Sequence, residues 1–351
     1  MDRKKFYTRF KALKISLLAG FVFIISTGSL KAAADPASEG DHGSFNPGAL
    51  IDHHIKDSHS WEITHGVTVP LPIIVYSEEK GLDIFMSSNF QNEHHEPVPY
   101  KGYVMDHDHI TLEGGAHVLD FSITKNVLFL FINSIILILL FMAVAKSYKK
   151  DPLKAPKGLQ SFFEPIIIFV RDDIVKPNIG PKYERYLPYM LTLFFFIWFG
   201  NMLGLLPGAA NLTGNIAVTM VLAVFSWVIT VSTGNRAYWS HIFDPLGSSM
   251  GWGGKFFLYL ILWPIEIIGI FTKPFSLMIR LFANITAGHV IILSILSLTF
   301  IAESFAVGIL SAVFATVMNM LELFVAILQA YVFTLLSSMY FGEAVQEVEH
   351  H

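Results

Sequence analysis

Five nearly continuous apolar stretches dominate the chain after residue 125. Residues 126–145, 187–206 and 216–232 each approach the ~20 residues a helix needs to cross hydrocarbon. Residues 255–301 and 305–341 exceed one perpendicular crossing, so strongly tilted or broken helices are expected there. Between the first two spans, residues 161–175 put Phe162, Phe163, Ile166, Ile167, Val170 and Ile174 on one helical face. That spacing predicts an interfacial helix on the inner leaflet. At the N-terminus, Arg3, Lys4, Lys5, Arg9, Lys11 and Lys14 precede an apolar core over 15–25 and then Ala32-Ala33-Ala34. This is the layout of a cleaved secretory signal peptide over 1–34. Turn formers (Asn46-Pro47-Gly48, Pro70, Pro72, Pro97, Pro99) separate short alternating runs such as Val67-Thr68-Val69 and Ile110-Thr111-Leu112. Residues 35–124 therefore read as a small, mostly β or irregular outer segment. The expected fold is an all-α polytopic membrane domain over 125–343, with that outer segment before it and a short tail over 344–351.

Composition agrees with this reading. Hydrophobic residues make up 53% of the 351 and charged residues 15%, a balance that excludes an ordinary soluble enzyme. Without cysteine there is neither disulfide nor thiolate chemistry. The net charge of −4 matters less than its distribution. Nine Lys/Arg (Lys146, Lys149, Lys150, Lys154, Lys157, Arg171, Lys176, Lys182, Arg185) lie between the first two spans, and Arg236 lies after the third. The loops at 208–214 and 302–304 have no Lys or Arg. The positive-inside rule then places the N-terminus outside and the acidic tail (Glu343, Glu347, Glu349) inside.

Candidate chemistry sits where charge is expensive. An Arg, Lys or Asp at the bilayer centre costs roughly 2.5–3.5 kcal/mol on insertion scales, yet the last two apolar stretches hold Glu266, Lys273, Arg280, His289 and Glu322. Asn284, Asn319 and Gln329 accompany them. Glu266, Lys273, Arg280 and Asn284 stay within about 40° of one helical stripe, with Pro264 and Pro274 making the register approximate. On the last helix, Glu322 and Gln329 share a narrow face with Gly308, Ser311, Ala315 and Ala326, suited to close helix packing. Opposite chain directions put Glu322 near the depth of His289. His289 is half a turn around from Arg280 and must face a different neighbour.

These residues stand in recognisable motifs. The run from Lys273 to His289 (Lys-Pro-Phe-Ser-Leu-Met-Ile-Arg-Leu-Phe-Ala-Asn-Ile-Thr-Ala-Gly-His) resembles the signature of F-type ATP synthase subunit a. Ile327-Leu328-Gln329-Ala330-Tyr331-Val332-Phe333 and Gly200-Asn201-Met202-Leu203-Gly204-Leu205-Leu206-Pro207 do so as well, in the family's order. The similarity spans about 120–343; residues 1–119 match no part of the family core. The resemblance implies a stator subunit without a catalytic site or cofactor, in a bacterial inner membrane, working beside the c-subunit ring and the b-type peripheral stalk. It implies that Arg280 faces the ring and separates two offset half-channels. Asn284, His289, Glu322 and Gln329 would line the outer path, with Glu266 and Lys273 near the inner exit. Many bacterial members have Glu and His exchanged at the His289 and Glu322 positions.

Blander readings stand beside these. Glu322 and His289 could be a bundle-stabilising pair, Glu266 and Lys273 an i,i+7 pair or snorkelling side chains, and Gln329 and Asn284 interhelical hydrogen-bond formers. Outside the membrane, Asp52-His53-His54, His94-His95-Glu96 and Asp106-His107-Asp108-His109 are rich in Zn²⁺ or Cu²⁺ ligand types but lack a diagnostic metal spacing. No metal is assigned to them; collecting protons is the comparable alternative. A self-contained ion or metal transporter would predict inverted repeats and charges on several helices. Here the charges cluster on two helices, no repeat is evident, and nothing suggests nucleic acid.

Overall fold

The computed structural model describes residues 48, 57–64, 67–92, 97–106, 109–113, 118–150, 155–206, 208–244, 252–302 and 304–345. The segment expected to be a signal peptide and most of the histidine-rich clusters lie outside the described residues. Seven short strands come first: β1 (Ser60–Thr64), β2 (Val67–Pro70), β3 (Pro72–Ser77), β4 (Gly81–Met86), β5 (Tyr103–Asp106), β6 (His109–Leu112) and β7 (Leu119–Asp120). The helices that follow are α1 (Lys125–Lys150), α2 (Leu159–Phe169), α3 (Lys176–Ile179), α4 (Tyr183–Gly204), α5 (Ile216–Thr233), α6 (Arg236–Phe243), α7 (Trp252–Ala302) and α8 (Phe305–Val345). Five stretches (Lys125–Lys149, Leu159–Gly204, Ile216–Thr233, Leu258–Thr299 and Phe305–Val345) are long and apolar enough to cross a membrane. In α1, Phe131, Ile135, Ile138, Leu139 and Met142 are each at least half exposed, as expected of a helix whose solvent is lipid.

The chain divides into two compact units. The first comprises residues 1–133, 200–212 and 286–324. Its strands form the antiparallel pairs β1-β2 and β5-β6 and the sheet β4-β3-β7. The alternating runs seen in the sequence at 67–69 and 110–112 are β2 and β6. In β3, Ile73 and Val75 turn inward and join Phe85, Phe90, Tyr103, Ile110 and Leu112 in a small core, while Tyr76 stands out. The strand period of two dictates that alternation.

This strand domain is tied to the start of α1. The Lys125 amide donates to the Ser58 carbonyl at 2.9 Å, and the Asn126 amide to Asp57 Oδ1 at 3.0 Å. Trp61 donates from Nε1 to the Gly208 carbonyl at 2.8 Å, and its ring meets Phe129 edge-on at 5.3 Å. Gly208 has φ of 76°, and a Cβ there would lie 2.9 Å from the Ile63 carbonyl oxygen, so only glycine fits. Nearby, buried His59 contacts Asp120 at 3.0 Å. Burial opposes ionisation of Asp120, but hydrogen bonds from His59 and Ser122 outweigh it and hold the carboxyl at about 2.

The second unit comprises residues 134–199, 213–285 and 325–351. Phe163 of α2 packs on Phe141, Phe195 and Phe199. Phe163, Val170 and Ile174 are buried, whereas Phe162 is half exposed, so the predicted interfacial face is split. One side is packed into helices, and the other, with Leu159, Phe162, Ile168 and Phe169, is bare. A π-helical turn over Val170–Val175 follows α2, and such turns misalign the backbone ladder. There the Ile174 carbonyl accepts from Asn178 Nδ2 at 2.6 Å and Ser338 Oγ at 3.4 Å. Tyr189 of α4 bonds Ser226 of α5 at 2.9 Å, and Ser337 of α8 reaches Ser226 at 3.5 Å. Asn215 and Asn235 cap α5 and α6 through their side chains, and the Asn235 amide donates to the Ala344 carbonyl.

Pro264 and Pro274 lie inside α7, which runs as one long helix of 51 residues rather than a broken one. A proline removes one intrahelical hydrogen bond, and neighbouring side chains and local adjustment make that tolerable in membrane helices. The last helix continues to Val345, with Ala344 and Val345 buried.

Candidate proton pathway

In the second unit, Leu277, Met278, Leu281 and Ile285 form the buried face of α7. The other side carries Arg280 and Asn284, both exposed. Phe275 is 60% exposed beside them, so the guanidinium stands on an apolar surface. Arg280 Nη2 lies 3.5 Å from Ser276 Oγ one turn earlier, and no carboxylate pairs with Arg280 among the described residues. Gln329 is buried next to the fully buried Ala330, so the small face of α8 is a packing face.

Lys273 does not turn to Glu266, seven residues away on its own helix. Its ammonium pairs with Glu343 of α8 and lies 5.2 Å from the centre of the Tyr340 ring. Glu266 is half-buried. The sequence reading set Glu343 aside as part of an acidic tail; the length of α8 is what brings it back.

In the first unit, the later part of α7 meets the earlier part of α8. His289 Nε2 lies 3.3 Å from Glu322 Oε1. Glu322 is only 4% exposed, and neither of its oxygens accepts a well-aligned hydrogen bond among the described residues. The approach depends on Gly288: a Cβ there would lie 2.9 Å from Glu322 Oε1 and 3.1 Å from its carboxyl carbon. Sequence reasoning singled out His289 and Glu322 but missed Gly288, whose only signal was adjacency to His289. An imidazole can both take up and release a proton near neutral pH, and a carboxyl group can do the same. The two can therefore exchange a proton.

A family model described as ATP synthase A chain matches residues 127–342, and one described as a domain of unknown function matches residues 50–126. ATP synthase subunit a 2 of Chlorobaculum tepidum is 39% identical over 331 residues, covering 92% of this chain and 80% of the relative. ATP synthase subunit a of Chloroherpeton thalassium is 42% identical over 232 residues, 66% of this chain and 69% of the relative. ATP synthase subunit a of an Anaeromyxobacter species is 36% identical over 330 residues, 90% and 76% respectively. The first and third of these similarities extend well into the N-terminal strand domain.

Proposed function

The chain belongs to the ATP synthase A chain family, and on that premise we propose how its side chains carry protons. It is the proton-conducting membrane subunit of the ATP synthase stator, with no catalytic site of its own. Its N-terminal domain faces the periplasm and its C-terminus the cytoplasm, in keeping with the basic loop between the first two spans. A proton enters from outside along Asn284, His289, Glu322 and Gln329 and neutralises a carboxyl group on the c-subunit ring. After the ring turns, the proton leaves past Glu266 and Lys273 toward the cytoplasm. Arg280 keeps the ring carboxylate beside it ionised and blocks direct passage between the half-channels. Lysine would serve less well, because it loses its proton more readily when buried. The b-type stalk holds the subunit still against the ring.

One observation carries this reading: Arg280 is exposed on an apolar helix face, hydrogen-bonded to Ser276 and with no carboxylate partner among the described residues. A cation without a carboxylate partner is costly at membrane depth, and in this reading its counter-charge is the carboxylate of the c-subunit ring. In membranes holding the whole complex, Arg280→Ala should abolish ATP-driven proton pumping; normal coupled pumping would refute the reading.

A further inference from the structure

The sheet β4-β3-β7 is apolar on both faces. One face, with Ile73, Val75 and Phe85, belongs to the core of the N-terminal domain. On the other, Leu82, Ile84, Leu119 and Phe121 are each at least 60% exposed, and Tyr76 and Met86 are exposed beside them. The register makes this one surface. Tyr76 pairs with Leu82 and with Leu119, and Ile74 pairs with Ile84 and accepts from the Phe121 amide. The polar side chains of these strands turn the other way. Asp83 accepts from Tyr103, Asp120 meets the buried His59, and Ser122 accepts from the Ile74 amide. A sheet with one face in water alternates apolar-in and polar-out. Here the alternation is reversed, as in strands whose outer side is hydrocarbon.

The place of this face on the chain points to what covers it. The segment that carries Leu119 and Phe121 continues along β3, the Ile123 amide donating to the Pro72 carbonyl. Two residues later the spanning helix α1 begins at Lys125. A second tether, from Trp61 to the Gly208 carbonyl, holds the domain to the loop between α4 and α5. The apolar face therefore starts where spanning helices end. Charge is confined to its far end: Glu78, Glu79 and Lys80 occupy the turn after Ser77, which is ~16 Å from Pro72 at ~3.3 Å per residue. Among the described residues the face carries no charged side chain, and its hydrogen-bonding group is the Tyr76 hydroxyl. A contact with another soluble surface is about as polar as the rest of a protein. A hydrocarbon face with a tyrosine toward its far end suits lipid instead, since aromatic side chains settle at the headgroups.

We propose that the β4-β3-β7 sheet lies with this face on the outer leaflet of the membrane that α1 crosses. The inference rests on the orientation given above, with the N-terminal domain in the periplasm. Leu82, Ile84 and Phe121 reach into the boundary between acyl chains and headgroups, and the Glu78–Lys80 turn stays in water. The contact gives the stator subunit a second hold on the bilayer beside its helices.

The chain has no cysteine, so a single introduced thiol carries a nitroxide label at one known place. Leu82→Cys, Ile84→Cys and Phe121→Cys, with Glu79→Cys as the reference for water, are made in a whole complex whose other subunits lack cysteine. Each is studied in right-side-out membrane vesicles. Collisions of the label with oxygen, which concentrates in lipid, are compared with collisions with a water-soluble nickel chelate. The oxygen-to-nickel ratio should be several-fold higher at the three face positions than at Glu79. Equal ratios overturn the proposal. So does shielding from both reagents, which would put another polypeptide on the face. A membrane-impermeant reductant added outside tests the orientation in the same samples. If it erases the Glu79 signal while the face ratios equal the reference, only the lipid contact is wrong. If the Glu79 signal survives, the orientation falls and the proposal with it.

Discussion

Two stretches of α7 handle charge in opposite ways. Around Arg280, the polar side chains stand on the bare side of the helix, and among the described residues the guanidinium's hydrogen-bond partner is the Ser276 hydroxyl on the preceding turn. Around His289, the charge-bearing groups are closed between α7 and α8 and meet each other. Both placements are expensive in an apolar medium, but the remedies differ. A buried acid–imidazole pair can neutralise itself by sharing one proton. The exposed guanidinium of Arg280 has no carboxylate partner among the described residues, and the proposed function gives it one on the ring.

The difference can be probed first by substitution inside the buried pair. If His289 and Glu322 work as a unit, His289→Ala or Glu322→Leu should each lower ATP-driven proton pumping at least about tenfold. The double exchange His289→Glu with Glu322→His should recover a substantial part of the rate, since one acid and one base remain in contact. Full pumping by both single variants would show the pair to be structural. Arg280 has no such internal rescue.

A smaller effect is expected from the glycine that admits the pair. Gly288→Val places a side chain where Glu322 now sits, 2.9 Å away, and should slow pumping several-fold without preventing assembly. Gly269→Ala on the same helix has nothing within 4 Å and should leave the rate unchanged. Equal rates in the two variants would mean that Glu322 need not touch α7.

The smallest effect belongs to the N-terminal strand domain, which takes no part in that contrast. Asp120, held at about 2 by His59 and Ser122 against the cost of burial, is depressed below the ordinary carboxylate value of about 3.9. Its contribution is therefore complete above about pH 4 and lost as pH falls through about 2. Asp120→Asn should weaken β3 and β7 by on the order of 1 kcal/mol, since the group is partly screened by solvent. Amide hydrogen exchange at neutral pH would read this as faster opening in the variant, with proton pumping unaffected; unchanged exchange would remove the pair from the account.

Much of this was legible in the sequence because lipid imposes a simple demand. Every spanning segment must be apolar for about twenty residues, so the five spans stood out, and so did each polar residue that violated the rule. Antiparallel helix arithmetic put His289 and Glu322 at one depth. Contacts set by packing were not legible. Lys273 meets Glu343 of α8, whereas the sequence offered Glu266, seven residues away on the same helix, as its partner. Pro264 and Pro274 left open whether α7 is tilted or broken, and the structure shows one long helix. The strand pairings of the N-terminal domain rest on short segments whose partners lie up to about forty-five residues away, as for Val75 and Asp120, a separation that no local periodicity reveals.

The central claim is that Arg280 is the electrostatic barrier between two half-channels. Its most direct test is passive proton flux, driven by an imposed gradient, through the whole complex with ATP turnover blocked. The account predicts that wild-type membranes leak little and that Arg280→Ala membranes leak clearly more, because protons then pass without rotation. Leak at the wild-type level in assembled Arg280→Ala complexes would contradict it.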